Sequence, residues 1–171
     1  ALCALPDYKS VTTLLAELKR SLGPGLTGFE LMWDNYYNKV LQVESDLQNP
    51  FAEDHPFYLL VEYKDNDSVS GAERFEAALF AQLEAGLITD ALVAKTHQDA
   101  EKFWQIRDGI GELFKVLGPV SNQDVSLPIA DIGIFAADLD QRLKQKYANI
   151  GVLLFGHIGD NNLHVCAYTG R

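Results

Sequence analysis

Apolar positions recur along this chain in two rhythms, one helical and one alternating. Val11, Leu14, Leu15, Leu18 and Leu22 fall at helical spacing behind Ser10, an N-cap type of residue, until Gly23-Pro24-Gly25 halts the run. Asp34 is placed to cap a helix carrying Tyr37, Val40 and Leu41. Ser70-Gly71-Ala72-Glu73 has capping-box spacing and opens a helix with Phe75, Leu79 and Leu83 on one side and Gly86 at its end. Phe103, Ile106, Ile110, Leu113 and Phe114 predict a helix from about Asp99 to Leu117. A last helix, from about Ala130 to Tyr147, is expected to bury Ile134, Phe135, Leu139 and Leu143.

Between these helices lie short runs rich in β-branched and aromatic residues. Leu26–Trp33, Phe57–Lys64 and Ala91–Thr96 read as strands, and Val125–Ile129 as another whose Pro128 marks a strand end or edge. Ile150–Gly156 and Leu163–Tyr168 are two more, joined by a short Gly/Asp/Asn-rich turn of hairpin type. The interleaving predicts an α+β fold, ferredoxin-like and duplicated, with a largely antiparallel sheet and helices packed on one face. No repeat in the sequence itself proves the duplication. Neither dinucleotide-binding nor P-loop glycine fingerprints follow any of the strands.

At 171 residues and 47% hydrophobic content, the chain suits one well-buried domain spanning 1–171. Its formal charge of -10 and pI near 4.7 argue against nucleic-acid binding, which needs a basic surface. Acidity does not exclude a small acid as ligand, because a local Arg or Lys suffices to hold one. Cys3 and Cys166 stand far apart and make neither a disulfide framework nor a Cys-x-x-Cys site, so a reducing cytoplasm is expected. No apolar run approaches the roughly 20 residues of a membrane span. The chain begins at Ala1 rather than Met, which leads to the expectation of a longer protein around it.

Only Gly156-His157-Ile158-Gly159-Asp160-Asn161-Asn162-Leu163-His164 combines turn glycines, a carboxylate, amides and two histidines. In a hairpin, His157 leaves one strand as His164 enters the next, and their imidazoles can converge. Neutral imidazole nitrogens suit Zn²⁺ and similar divalent ions. Two ligands do not complete a catalytic site, which usually takes three from the protein and keeps one position open. Asp160 could add an oxygen, although an Asp in a tight turn more often bonds backbone N–H groups. Read by spacing alone, the pair is equally open to structural, hydrogen-bonded histidines.

The same segment resembles the G-H-x-G-D-G-N-x-H signature of the C-terminal domain in FAD-linked oxidases of the vanillyl-alcohol oxidase superfamily. That group includes D-lactate and D-2-hydroxyglutarate dehydrogenases and the glycolate oxidase flavin subunit. Phe103-Trp104-Gln105-Ile106-Arg107 is similar to the family's L-W-x-[IL]-R, and Asp124-Val125-Ser126-Leu127-Pro128 to its D-V-S-[VL]-P. Leu26–Trp33 and Phe57–Glu62 resemble its early strands. The resemblance implies an FAD-dependent enzyme that oxidises a small D-2-hydroxy acid to the 2-oxo acid by hydride transfer to flavin, with this chain as its substrate-side domain.

It assigns His157 and His164 to a divalent metal, Zn or Mn, that orients the substrate. Arg107 is matched to the substrate carboxylate, for which its planar fork is suited, with a surface salt bridge as the alternative. Asn122 falls at a substrate-facing position and Asn162 at a cofactor-facing one. Trp104 is expected in the core, and Asp124 as a structural residue. An electron acceptor for the reduced flavin is implied, and a homo-oligomer is allowed.

Three departures bear on the substrate. Asn161 replaces the signature's second glycine, which Asn tolerates because it accepts a left-handed backbone. Asn122 replaces a Lys of the 2-hydroxyglutarate enzymes, and Cys166 replaces an Asn; both weaken the grip on a second carboxylate. The FAD-binding domain is expected upstream, and a Glu-His pair supplying the third ligand and the base is expected beyond Arg171. The chain alone is therefore expected to fold without retaining FAD or turning over, and to bind metal weakly. The alternative is a non-catalytic ferredoxin-like module that binds a metal or ligand.

Overall fold

The computed structural model describes residues 1–170, and of residues 68 and 69 the backbone only. In chain order it comprises β1 (Leu2–Leu5), α1 (Tyr8–Leu22), β2 (Leu26–Trp33), α2 (Asp34–Val43), β3 (Phe57–Tyr63), α3 (Ser68–Glu84) and β4 (Asp90–Leu92). There follow α4 (His97–Asp108), α5 (Ile110–Val116), β5 (Val120–Ser126), α6 (Ile129–Lys146), β6 (Gly151–His157) and β7 (Asn162–Tyr168). The strands form one seven-stranded sheet in the order β4-β1-β3-β2-β6-β7-β5, antiparallel at every pairing.

That order contains the expected duplication. The β1-α1-β2-β3-α3-β4 path lays its strands as β4-β1-β3-β2, the ferredoxin-like arrangement, with α2 inserted between β2 and β3. The β5-α6-β6-β7 path repeats the first part of it, its strands lying β6-β7-β5 as β2-β3-β1 do. The two units meet where β2 pairs with β6, in the register Glu30↔His157, Leu31↔Gly156 and Met32↔Phe155.

The α+β class and the antiparallel sheet are as expected, and the predicted layer of helices is joined by a second on the opposite face. Phe29, Leu31 and Trp33 of β2, with Val152 and Leu154 of β6, pack against α1, α3 and α6. Met32, Leu153, Phe155 and Cys166 point the other way, against Tyr36, Tyr37 and Val40 of α2, Phe103 and Ile106 of α4 and Leu113 of α5. A central strand buried on both faces carries apolar residues at consecutive positions, which is how β1, β2 and β6 read.

Several boundaries move. β1 has four residues, all buried and none alternating, so no periodicity announces it; it lies between β3 and β4. The cap of α1 is Asp7, whose carboxylate accepts the Ser10 N–H at 2.7 Å, while Ser10 is buried inside the helix. Thr96 caps α4 in a capping box with Asp99, which shortens β4. The helix expected to run on to Leu117 breaks at Gly109, where α2 presses so close that a Cβ would lie 2.5 Å from Val40. The strand expected at Val125 begins at Val120, and Pro128 stands at the cap of α6. On α6 the inward stripe runs through Ile132, Phe135, Ala136, Leu139 and Leu143, leaving Ile134 75% exposed rather than buried.

Candidate functional site

Strand alternation puts Glu30 of β2, His157 of β6, His164 of β7 and Asp124 of β5 on the sheet face that also carries Met32, Phe155 and Cys166. Arg107, at the end of α4, comes down onto the same face from above. The register supplies the order: Glu30 opposes His157, Phe155 opposes His164, and His164 opposes Asp124. The hairpin brings its two imidazoles within 5.1 Å, centroid to centroid, at 80° to each other.

Two local devices shape this hairpin. A Cβ on Gly156 would stand 2.4 Å from the Asn162 carbonyl oxygen, so the strands approach each other only because that residue is glycine. Asn161 takes φ 60° and ψ 24°, the left-handed turn anticipated for it in place of glycine. Asp160 lies exposed in a short 3₁₀ turn, Ile158–Asp160.

Each imidazole is held by a carboxylate at Nδ1. The Glu30 carboxylate lies 2.8 Å from His157 Nδ1, and Asp124 makes a short hydrogen bond to His164 Nδ1. Carboxylates of this kind fix ring orientation and leave Nε2 as the ligating nitrogen. Asp124, expected to be structural, is thus the exposed partner of one of the two candidate ligands.

Arg107 is buried, not at the surface, and so is Glu30. Its Nε donates to Glu30 Oε2 at 2.9 Å, Nη2 lies 2.8 Å from the same oxygen, and Nη1 reaches Asp108 Oδ1 at 3.1 Å. Nη2 also stands 3.2 Å from His157 Nε2. Charges in such a place persist only when paired and hydrogen-bonded. Phe155 floors the group: the guanidinium carbon lies 5.4 Å from its ring centre, and Tyr36 stacks on it at 4.1 Å. The Tyr36 hydroxyl donates to the Arg107 carbonyl at 2.6 Å, and burial pushes its pKa up, so it stays a donor.

Asn122 sits exposed on β5, opposite Cys166 and on the same face as Asp124. Asn162 is half-buried at the start of β7, on the His164 side of the strand. Trp104 is partly buried against the apolar residues of this face, as expected. Cys166 is buried, with its thiol pushed up to about 11 by desolvation, the behaviour of a core residue. Cys3 is likewise free and buried.

Glu30 was not singled out by motif reading. The signal was available as one carboxylate inside the apolar run Phe29-Glu30-Leu31-Met32-Trp33, since a charge in a buried strand needs a partner. The donor set fits a divalent ion as two imidazole ligands. Among the described residues no third His, Cys, Asp or Glu completes a cage. A cation on His157 would take the Nε2 lone pair that lies next to Arg107.

The sequence model of the family described as FAD linked oxidases, C-terminal domain, matches residues 1–171. The chain is 39% identical over 165 residues to a mitochondrial D-2-hydroxyglutarate dehydrogenase of Arabidopsis thaliana, covering 96% of this chain and 29% of that protein. It is 33% identical to a D-2-hydroxyglutarate dehydrogenase of Xanthomonas citri pv. viticola, covering 96% of this chain and 34% of the relative. A putative mitochondrial D-lactate dehydrogenase of Schizosaccharomyces pombe is 32% identical over 174 residues, with 96% and 33% covered. The chain thus spans roughly a third of the length of these relatives. The names of the two eukaryotic relatives place those proteins in mitochondria, and nothing among the comparisons supports the cytoplasm expected from cysteine usage. Among the described residues no helix is long and apolar enough to cross a membrane.

Proposed function

Because this chain belongs to the family of FAD linked oxidases, C-terminal domain, we propose that it is the substrate-side domain of an FAD-dependent dehydrogenase acting on a small D-2-hydroxy acid. The observation that carries the reading is the meeting of Arg107, His157 and His164 on one face of the sheet, from three separate elements. A cation beside two imidazoles is a receptor for a molecule with a carboxylate next to a hydroxyl.

In this reading Arg107 binds the substrate carboxylate. Its Nε donates to Glu30, Nη1 to Asp108, and Nη2 lies against Glu30 and the His157 ring, which leaves the second N–H of Nη1 for another acceptor. Phe155 and Tyr36 close the floor beneath it and keep water away from the ion pair. His157 and His164 would hold the divalent ion, Zn or Mn, through Nε2, with Glu30 and Asp124 fixing the rings. When bound, such an ion would lower the pKa of the substrate hydroxyl, whose proton would pass to a base, and FAD would supply the acceptor for the hydride of the substrate carbon, leaving the 2-oxo acid.

The flavin nucleotide is assigned to another part of the protein, with Asn162 as this chain's contribution toward it. The base and the third ligand are assigned outside residues 1–171 as well. Asn122 stands near the substrate without the positive charge that a second carboxylate would seek, which favours a monocarboxylate such as D-lactate. The names of the relatives favour D-2-hydroxyglutarate.

The test is anaerobic flavin reduction in the complete protein, followed by flavin absorbance with both enantiomers of lactate and 2-hydroxyglutarate and with glycolate. Reduction by a D-2-hydroxy acid and not by its enantiomer is expected. A flavin that none of these substrates reduces would refute the reading.

A further inference from the structure

Glu30 is a buried carboxylate that touches neither substrate nor cation in the proposed chemistry. It touches two groups that the chemistry uses, and it lies on a third element, 77 residues from Arg107 and 127 from His157 in sequence. Both of its oxygens lie 2.8 Å from His157 Nδ1, and one of them takes Arg107 Nε and Nη2.

Donor and acceptor chemistry then fixes the imidazole. A carboxylate is an acceptor only, so Nδ1 carries a hydrogen toward Glu30. Arg107 Nη2 stands 3.2 Å from Nε2 and 3.4 Å from Nδ1, nearly equidistant from the two ring nitrogens and so off both in-plane lone-pair axes; it lies against the ring and leaves the Nε2 lone pair to another partner. Glu30 thus specifies one tautomer, the one whose Nε2 is able to ligate a cation.

We propose that Glu30 is the positioning residue of this half-site: one buried carboxylate grips Arg107 along its Nε edge and His157 at Nδ1–H. The remaining Nη1 N–H of the guanidinium and the Nε2 lone pair of the imidazole are thereby turned toward the substrate and its cation. The inference rests on the proposed function for the identity of those ligands, while the tautomer and the ion pair do not depend on it. It also ties the two groups together, since any displacement of Glu30 disturbs both at once.

The deciding experiment is imidazole ¹⁵N NMR on the ¹⁵N-labelled chain above neutral pH, with no metal added. His157 is expected as the Nδ1–H tautomer. In Glu30→Gln, whose amide presents both a donor and an acceptor, that preference is expected to collapse toward a mixture. His164, held by Asp124, should be unmoved, and Asp124→Asn should move His164 and spare His157.

If Glu30→Gln fails to fold because Arg107 is stranded, the double variant Glu30→Leu with Arg107→Met removes both charges and serves as the folded reference. It too should lose the His157 preference. An Nε2–H tautomer in the wild type, or an unchanged Nδ1–H tautomer in the folded variants, would overturn the proposal. Zn²⁺ affinity, titrated into the complete protein, should fall about 10–100-fold in Glu30→Gln. A wild type with the expected tautomer but no Zn²⁺ binding would count against the proposed metal role and leave the positioning by Glu30 standing.

Discussion

The two faces of the central sheet are built from the same strands and differ in one respect. On the face covered by α1, α3 and α6, β2 contributes Phe29, Leu31 and Trp33 and β7 contributes Leu163 and Val165, all apolar. On the face covered by α2, α4 and α5, the intervening positions carry Met32 and Cys166 at the centre but Glu30, His157 and His164 toward the hairpin end. A one-residue step along a strand therefore crosses from pure packing to chemistry. The first face is packing alone, whereas the second, itself an apolar core, uses part of its burial to hold charged groups in fixed geometry.

Adjacent substitutions on β2 break this contrast most sharply. Glu30→Ala strands Arg107 in the core and is expected to cost about 3–5 kcal/mol, measured by urea denaturation. Replacing both partners with apolar residues should recover most of that loss, because the cost comes from an unpaired buried charge. Leu31→Ala, one residue on and on the other face, should cost about 2–5 kcal/mol through the cavity it leaves. In that variant the imidazole NMR signals of His157 and His164 should stay where they are. A second apolar substitution that restored Leu31→Ala but disturbed the histidines would show that the faces are not separable.

Smaller effects sharpen the picture. Tyr36→Phe removes one hydrogen bond to the Arg107 carbonyl while keeping the ring stacked on Phe155, with an expected loss of about 1 kcal/mol. At the far end of the first face, the Asp7 cap of α1 gives a pH-dependent term. Its carboxyl is held below the usual range by the Ser10 N–H, so the folded pKa lies below the unfolded value. That contribution, on the order of 1 kcal/mol for a cap, is complete above about pH 4 and lost as pH falls through the folded pKa. Asp7→Asn, still a good cap, should flatten that part of the acid-denaturation profile.

Local signals in the sequence carried much of this structure. The hairpin was legible because two apolar runs flank a cluster of turn residues, and Asn161 was legible as a left-handed position because few other residues accept it. The α+β alternation followed from periods of 3.6 and 2 on successive segments. β1 was not legible: Leu2-Cys3-Ala4-Leu5 is too short for either rhythm, and only its pairing with β3 and β4 defines it.

In the candidate site, the motifs singled out Arg107 and the two histidines, which the fold brings together, whereas the burial of Arg107 was not legible. It occupies the inward stripe of α4, four residues after Phe103, but its countercharge sits on a strand 77 positions away. A pairing of that span leaves no local trace beyond an acidic residue in an apolar strand. Ile134 shows the converse limit, since periodicity marks a stripe on α6 but not which neighbouring apolar residue falls off it.

The central claim is that the hairpin histidines, with Arg107, form the part of an active site that this domain contributes. The most direct test is the His157→Ala/His164→Ala variant of the complete protein, compared with wild type for bound divalent metal and for single-turnover flavin reduction by its D-2-hydroxy acid. Loss of the metal, with reduction slowed about 100-fold or more in a protein that still folds and holds FAD, is the predicted result. Unchanged metal content together with an unchanged rate of flavin reduction would contradict it.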